Sequence, residues 1–284
     1  MADKEPSFDK VFDFLYQIGF TDDDIDELYD IEADIVTNKG EEYVGPDWLY
    51  TKVLEETTNV ELNETGEIIE DYWEKGWISD FCFFRRYNFD SFEDRYWKVF
   101  PTRYRLRDFK FTKSLHRILR KNSDLKTTIR PLRITPEKTD LHDKYYILRH
   151  GKAPESPLSE SYKYIKHYPS ELTELSIFKD KKLVACSIFE IGDYAVYSNT
   201  AFWDLSEKSR SLGMLTILLE VQYALKRKIR HYYLGYFYPH NPNYHYKARF
   251  GGLELYDWDN ARWVDFKDPN IKELLKQKLP RRKD

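Results

Sequence analysis

Residues 231–250, HYYLGYFYPHNPNYHYKARF, concentrate tyrosines, histidines and a Tyr-Lys pair where a core strand would carry valine, isoleucine and leucine. Tyrosine hydroxyls donate hydrogen bonds, and tyrosine rings stack on flat groups such as nucleobases. Tyr233, Tyr236 and Tyr246 could therefore line a binding cleft, and Lys247 could bind an anion or a carboxylate there. Ordinary strand packing for the tyrosines and a surface position for Lys247 are the alternatives.

A second segment, RSLGM at residues 210–214, precedes a leucine-rich helix. Free N–H groups of Ser211, Leu212 and Gly213 at the start of this helix, with the charge of Arg210, would suit a phosphate. Helix initiation with Ser211 as N-cap is the alternative. The loop partly matches the Arg/Gln-x-x-Gly-x-Gly/Ala loop that binds coenzyme A in acetyltransferases, but Leu215 stands where a second Gly or Ala is expected.

Two carboxylates near this segment are candidates for chemistry. Glu220, about two turns into the helix, could face a cleft and select a cationic group, or it could be a surface glutamate. Asp204 is a candidate proton acceptor, since a carboxylate can serve as a general base.

The charge of −4 conceals an asymmetry between segments. Acids dominate up to about Asp80, whereas bases dominate from Arg103 to Arg133. A helix in the basic segment would turn Arg117, Arg120 and Lys121 outward, where clustered cations could contact a nucleic-acid backbone. A solvated helix face is the alternative.

These residues need an α/β or α+β scaffold to position them. Aromatic-rich strands are predicted from Trp77 to about Arg107, three strands from Leu172 to Asp204, and a strand at IRHYYLGYFY. Helices are predicted after Thr112, from Pro136 to Gly151, and from the RSLGM segment onward. Strands that meet near the start of a long helix follow the order of an N-acetyltransferase (GNAT)-like fold. The organisation expected is an acidic N-terminal region and module at 1–140, with two helices within residues 7–36, and a catalytic domain at 141–284.

Composition limits the classes of protein to consider. The 284 residues can bury a sizeable core, and the aromatic fraction of 17% is high, so some rings are expected in a wet cleft or, alternatively, in an aromatic core. Cys82 and Cys186 cannot alone form a disulfide framework or a cysteine-based metal site. The start of the chain has no apolar signal-like stretch, and no apolar run approaches a membrane span. These features favour a soluble, cytoplasmic protein without a metal.

Several motifs together resemble the arginyl-tRNA–protein transferases of the N-end rule pathway, whose bacterial relatives transfer leucine. That family carries a pattern close to S-L-G-x(4)-L-x-x-I-x-x-A, then Y-L-G-Y, then Y-K-x-x-F/Y. The matching pieces here are Ser211-Leu212-Gly213 with Leu218, Val221 and Ala224, then Tyr233-Leu234-Gly235-Tyr236, then Tyr246-Lys247 with Phe250. The segments SLHRILRKNSDL, LHDKYYILRH and KKLVACSIFEIGDYAVYSNTAFWD also resemble family segments. The resemblance covers about Tyr72 to Asp265, and the family's N-terminal cysteine cluster is absent, with only Cys82 in that region.

The resemblance implies a GNAT-like catalytic domain that moves arginine or leucine from charged tRNA to the N-terminal amine of a protein. No cofactor is implied, because the aminoacyl-tRNA is itself the activated substrate. The catalytic candidates are then Asp204, Glu220, Tyr236, Tyr246 and Lys247. Arg117, Arg120 and Lys121 would contact tRNA, together with residues 210–213 and Tyr233, Leu234 and Gly235. An acetyl-coenzyme A-dependent N-acyltransferase and a non-catalytic tRNA- or protein-binding relative are the alternatives.

Overall fold

The computed structural model describes residues 49–53, 65–80, 83–92, 95–154, 157–162, 171–239 and 241–276. The helices predicted within residues 7–36, and Cys82, lie outside these ranges.

An eight-stranded sheet forms the centre of the described protein, in the order β13-β12-β6-β11-β10-β9-β8-β7. Its strands are β6 (Phe100–Arg105), β7 (Lys126–Pro131), β8 (Glu171–Lys179), β9 (Lys182–Ile191), β10 (Ala195–Trp203), β11 (His231–Phe237), β12 (Leu253–Asp257) and β13 (Arg262–Asp265). Neighbouring strands are antiparallel except β10 and β11, which are parallel. A parallel pair needs a crossover connection, and the helix after residue 211 supplies it.

Helices cover both faces of this sheet. They are α1 (Thr65–Glu74), α2 (Lys113–Lys121), α3 (Pro136–His150), α4 (Leu158–Ser161), α5 (Leu212–Lys226) and α6 (Ile271–Lys276). Side chains of β9 alternate between two cores. Val184 and Phe189 pack in the core that includes α2 and α5, whereas Leu183 and Ile188 pack in the core that includes α3 and α4.

The described strands also form two smaller sheets. One contains β1 (Leu49–Val53), β3 (Phe83–Tyr87) and β2 (Ile78–Asp80), and the other pairs β4 (Phe89–Phe92) with β5 (Arg95–Lys98). Helix α1 is fixed to the large sheet by Glu70, whose carboxylate accepts from the N–H groups of Asp193, Tyr194 and Ala195. Trp73 is fully buried in the same contact.

The expected mixed α/β class is confirmed, as are the local helix signals. Thr112 caps α2, Pro136 begins α3, and Gly151 ends α3 with a φ of 73°. Strand β7 was not predicted, because all six of its residues are exposed and show no apolar alternation. The predicted boundary at residue 140 lies inside α3, and the large sheet takes strands from both sides of it.

Candidate active site

A cleft of about 620 Å³ opens where β10 and β11 separate. The two strands pair only from Ala195–Tyr197 to His231–Tyr233, after which their ladder ends. The cleft is lined from β10 by residues 197–201 and 203, from β11 by residues 234–236, and from α5 by residues 212–214, 216 and 217. Parallel strands that diverge next to a helix N-terminus therefore produce a concave site within the sheet.

Each diverging strand carries an irregularity beside the cleft. The register of β10 shifts between Ser198 and Thr200, and that of β11 shifts between Tyr233 and Tyr236. Gly235 adopts a φ of 59°, a left-handed conformation that glycine adopts at little cost. These bulges turn backbone groups out of the ladder and towards neighbouring side chains.

Lys247 holds the bulge of β11. Its ammonium donates to the carbonyl oxygens of Leu234 and Tyr236, each at 2.5 Å, and the residue is 4% exposed. Pro101 stands opposite Tyr236 in β6 and has no N–H to donate. The Y-L-G-Y and Y-K segments are therefore one structural unit, in which the lysine satisfies carbonyls that the ladder leaves open.

Burial lowers the pKa of Lys247 to about 7. The residue lines the cleft but is buried, so the alternative of a surface lysine is wrong. Its contacts with the two carbonyl oxygens assign it a positioning role in the bulge.

The cleft walls are aromatic. Tyr87 stacks on Tyr236 with ring centres 4.2 Å apart, and Tyr145 of α3 contacts Trp203 at 4.6 Å. Tyr246 also lines the cleft, and its hydroxyl contacts no hydrogen-bond partner within the described ranges. Because burial raises the pKa of Tyr246, this hydroxyl stays protonated and can donate to a substrate.

The start of α5 is only partly as predicted. Ser211 takes the N-cap position, but it has a φ of 55° and its side chain makes no capping hydrogen bond. Ser211, Leu212 and Gly213 do line the cleft. A Cβ on Gly213 would lie 2.5 Å from the Trp203 ring, so this glycine is needed to let Trp203 pack across the helix start.

Arg210 is not available to bind an anion. Its guanidinium makes two hydrogen bonds of 2.9 Å to the carboxylate of Asp124 and one of 3.0 Å to Glu207. It does not line the cleft. The structure therefore gives no support to the predicted phosphate-binding role of Arg210, which ties the loop before α5 to the end of α2.

Asp204 and Glu220 are also held away from the cleft. Asp204 accepts hydrogen bonds from Lys182 and Ser206, and the Lys182 contact lowers its pKa to about 2, which makes it a poor proton acceptor. Glu220 is 1% exposed beneath the cleft and accepts a 2.6 Å hydrogen bond from the Tyr232 hydroxyl. Burial raises the pKa of Glu220 to about 6. Neither carboxylate lines the cleft, so their predicted catalytic roles lack contact with it.

The Y-L-G-Y segment contributes unequally to the site. Leu234, Gly235 and Tyr236 line the cleft. Tyr233 does not, because it packs against Trp73 and its hydroxyl donates to Glu74 at 3.1 Å. The predicted role of Tyr233 in stacking on a substrate is therefore wrong for this cleft.

Two cations at the cleft were not predicted as site residues. Arg149 of α3 and Lys208, in the 3₁₀ segment Leu205–Arg210, are exposed and line the cleft. Within the described ranges neither forms an ion pair. The R-H pair of the YYILRH segment could have indicated Arg149, whereas no pattern in the sequence marked Lys208.

The predicted tRNA-binding cations of α2 do not line the cleft, whereas Asn199 does. Arg117, Arg120 and Lys121 are exposed on α2, as predicted for that helix. Asn199, in the bulge of β10, donates to Glu190 at 3.1 Å and accepts from the Tyr162 hydroxyl at 2.9 Å. This chain of contacts fixes the β10 side of the cleft.

Comparison with known proteins identifies the family of this chain. The family model described as "Arginine-tRNA-protein transferase, C terminus" matches residues 137–257. An aspartate/glutamate leucyltransferase of Rhodospirillum rubrum is 31% identical over 184 residues, which cover 58% of this chain and 68% of that protein. The chain belongs to the aminoacyl-tRNA–protein transferase family.

Other relatives match this chain over a smaller share of their own length. Aspartate/glutamate leucyltransferases of Acinetobacter baumannii are 29% identical over 151 residues, or 52% of this chain. The chain spans only 56% of the length of these relatives.

Solved structures match at low scores. The C-terminal domain of a putative lysylphosphatidylglycerol synthetase from Agrobacterium fabrum has a TM-score of 0.38 at 12% identity, covering 48% of this chain and 46% of that one. A tandem GNAT protein from the clavulanic acid pathway has a TM-score of 0.36 at 11% identity, covering 54% and 50%. Within the residues that the structure describes, no helix has the length and apolar character to cross a membrane.

Proposed function

We propose that this protein moves an amino acid from charged tRNA to the N-terminal amine of an acceptor protein. The observation that carries this proposal is the interlock between the family's Y-L-G-Y and Y-K segments, which builds one wall of an aromatic cleft. Family membership and the names of the relatives support the same reaction.

The reaction requires positioning more than strong acid–base groups. The acceptor nitrogen attacks the ester carbonyl carbon, the bond between that carbon and the tRNA ribose oxygen breaks, and the ribose oxygen takes a proton while the amine loses one. Holding ester and amine in attack geometry contributes several kcal/mol. The protonated Tyr246 hydroxyl can donate to the oxyanion that forms on the carbonyl.

The chemistry of the cleft favours leucine over arginine as the amino acid moved. The walls combine rings with apolar side chains, including Leu212, Met214 and Ile217. Among the described residues that line the cleft, the one with a carboxylate is Glu207, and it is already paired with Lys179 and Arg210. An arginyl guanidinium would therefore be desolvated there without an unpaired carboxylate, whereas a leucyl side chain would bury apolar surface.

The cations at the cleft suit an acidic acceptor. Arg149 and Lys208 can pair with the side-chain carboxylate of an N-terminal Asp or Glu, the residues in the names of the relatives. We place this activity in the cytoplasm, where charged tRNA is made, and in the N-end rule route of protein degradation. The family resemblance supports that assignment.

A peptide assay tests both the transfer and the acceptor site. Labelled leucyl-tRNA is the donor, and peptides that begin with Asp, Glu or Ala are the acceptors. The enzymes compared are wild type, Arg149→Ala and Arg149→Lys. Wild type should label the Asp and Glu peptides, and Arg149→Ala should raise KM for these peptides while KM for tRNA stays unchanged. No transfer by wild type to any acceptor would overturn the proposal. A rise in KM for tRNA instead would assign Arg149 to a tRNA phosphate.

A further inference from the structure

A band of exposed cations lies on α2 and around the end of α5, two helices that pack against each other over one face of the sheet. Two hydrogen bonds connect the segments that flank these helices. Lys121 Nζ donates to the carbonyl of Ser209 at 2.5 Å, so the end of α2 meets the start of α5. At the opposite limit, the N–H of Leu106, before α2, donates to the carbonyl of Arg230, after α5, at 2.9 Å.

The far end of this band carries cations that the proposed transfer cleft does not use. We define the distal cluster as Arg107, Lys226, Lys228 and Arg230, all exposed. Lys226, Lys228 and Arg230 have no ion-pair partner among the residues that the structure describes. The Arg107 side chain is 81% exposed and lies 3.7 Å from Asp108. Lys113, Arg117 and Arg120 are exposed as well, on α2, which packs against α5.

Acidic side chains within residues 106–124 and 205–230 do not neutralise this surface. Asp108 pairs with Arg105 at 2.8 Å. Asp124 and Glu207 both pair with Arg210, and Glu220 is buried. These two segments therefore carry a net positive charge, which attracts a polyanion.

The length of the band selects the kind of polyanion. Helix α5 starts at the cleft and has 15 residues, so the distal cluster lies roughly 20 Å from the transfer site at about 1.5 Å per residue. A small anionic ligand in the cleft would not reach it, whereas a nucleic-acid duplex presents phosphates along such a distance. Double-stranded RNA is recognised mainly through its phosphates, its 2′-hydroxyls and its shape.

We infer that the distal cluster binds the phosphate backbone of the double-stranded arm of the aminoacyl-tRNA while its 3′ end occupies the cleft. The inference rests on the proposed function. It adds a second RNA contact, remote from the chemistry, which raises affinity for intact tRNA and leaves the transfer step untouched.

The test compares two donors that differ only in the double-stranded arm. One is intact leucyl-tRNA, and the other is a leucylated single-stranded CCA trinucleotide. The variants are Lys226→Glu and Lys228→Glu, singly and together. Lys144→Glu is the control, because Lys144 is an exposed helix lysine on α3, across the sheet; unlike the two test lysines, it pairs with an acid, Asp140, at 2.7 Å. Binding of an RNA hairpin that carries no amino acid is measured in parallel at several salt concentrations.

We expect the double variant to raise KM for intact leucyl-tRNA several-fold and to keep wild-type kinetics with the trinucleotide. The salt dependence of hairpin binding should weaken by about one unit of log–log slope for each phosphate that the variant no longer neutralises. Unchanged KM in the double variant, or an equal rise in the Lys144→Glu control, would overturn the inference. If wild type transfers from neither donor, the proposed function fails, and the inference is then tested by hairpin binding alone. Weaker hairpin binding by the double variant than by wild type would support RNA binding by the distal cluster, and equal binding would refute it.

Discussion

Tyr246 and Lys247 are neighbours in the chain but differ in what their polar atoms contact. The Lys247 ammonium is used by two backbone carbonyls, whereas the Tyr246 hydroxyl contacts none of the described hydrogen-bonding groups. The lysine maintains the shape of the cleft, and the tyrosine hydroxyl is free to act on a substrate. Substitutions at these two positions should therefore separate stability from activity.

Replacing Tyr246 with Phe removes a hydroxyl that stabilises no described part of the protein. The free energy of unfolding should stay within about 0.5 kcal/mol of the wild-type value, the range seen for substitutions that break no contact. The transfer rate kcat should fall by about 10²-fold, as for removal of one oxyanion donor. Tyr232→Phe is the control, since it breaks the bond to Glu220 and should lower stability. A Tyr246→Phe enzyme with wild-type kcat would remove this tyrosine from the mechanism.

Replacing Lys247 with Met keeps the length of the side chain and removes both donations. The buried carbonyl of Tyr236 then loses this donor, and the bulge is no longer fixed. We expect a decrease of about 1–3 kcal/mol in the free energy of unfolding, the cost of an unsatisfied buried polar group. The rate kcat should fall more than KM for tRNA rises. Lys181→Met, at an exposed turn, serves as control, and a matching effect there would contradict the positioning role.

Glu220 should give stability a specific pH dependence. Its pKa is raised by burial from 4.5 to about 6, so the folded state binds the proton more tightly than the unfolded state. The stability from this group is fully present below pH 4.5 and is lost as the pH rises through 6, by about 2 kcal/mol. Urea unfolding of wild type and Glu220→Gln from pH 4 to 7 should show the variant gaining stability relative to wild type. Parallel profiles for the two proteins would rule this out.

At the scale of elements, α2 and α5 act together through the loop that joins the start of α5 to the sheet. Asn122, 5% exposed at the end of α2, donates to the carbonyls of Ile118 and Arg210, each at 2.9 Å. Its partner Arg210 is 88 positions away in sequence, which explains why RSLGM looked like an anion site. Thr112, Pro136 and Gly151 act within one turn, and helix ends of that kind were predicted correctly.

Replacing Asn122 with Ala should loosen this junction. Both carbonyls lose a donor, so unfolding free energy should fall by about 1–3 kcal/mol. Because the loop that begins α5 also lines the cleft, the transfer rate should fall as well. Ser123→Ala, at the exposed neighbouring position, is the control and should match wild type. Equal stability in the two variants would show that the junction does not depend on Asn122.

At the scale of the whole molecule, the sequence predicted the mixed α/β class and the main helices, because their periodicity and caps are local. The family motifs also indicated Leu234, Gly235, Tyr236, Tyr246 and Lys247, all of which line the cleft. Tyr233, Asp204 and Arg210 do not line the cleft, and each is paired across the fold, with Glu74, Lys182 and Asp124 respectively. Strand β7 was not predicted, because an exposed edge strand has no apolar pattern to detect.

We propose that the cleft transfers an apolar aminoacyl group from tRNA to an acidic N-terminus. The most direct measurement offers labelled leucyl-tRNA, arginyl-tRNA and acetyl-coenzyme A in separate reactions to a peptide that begins with Asp. Label on the peptide from leucyl-tRNA, at a kcat/KM well above that for arginyl-tRNA, is the predicted result. Label from acetyl-coenzyme A alone, with no transfer from either charged tRNA, would contradict the account.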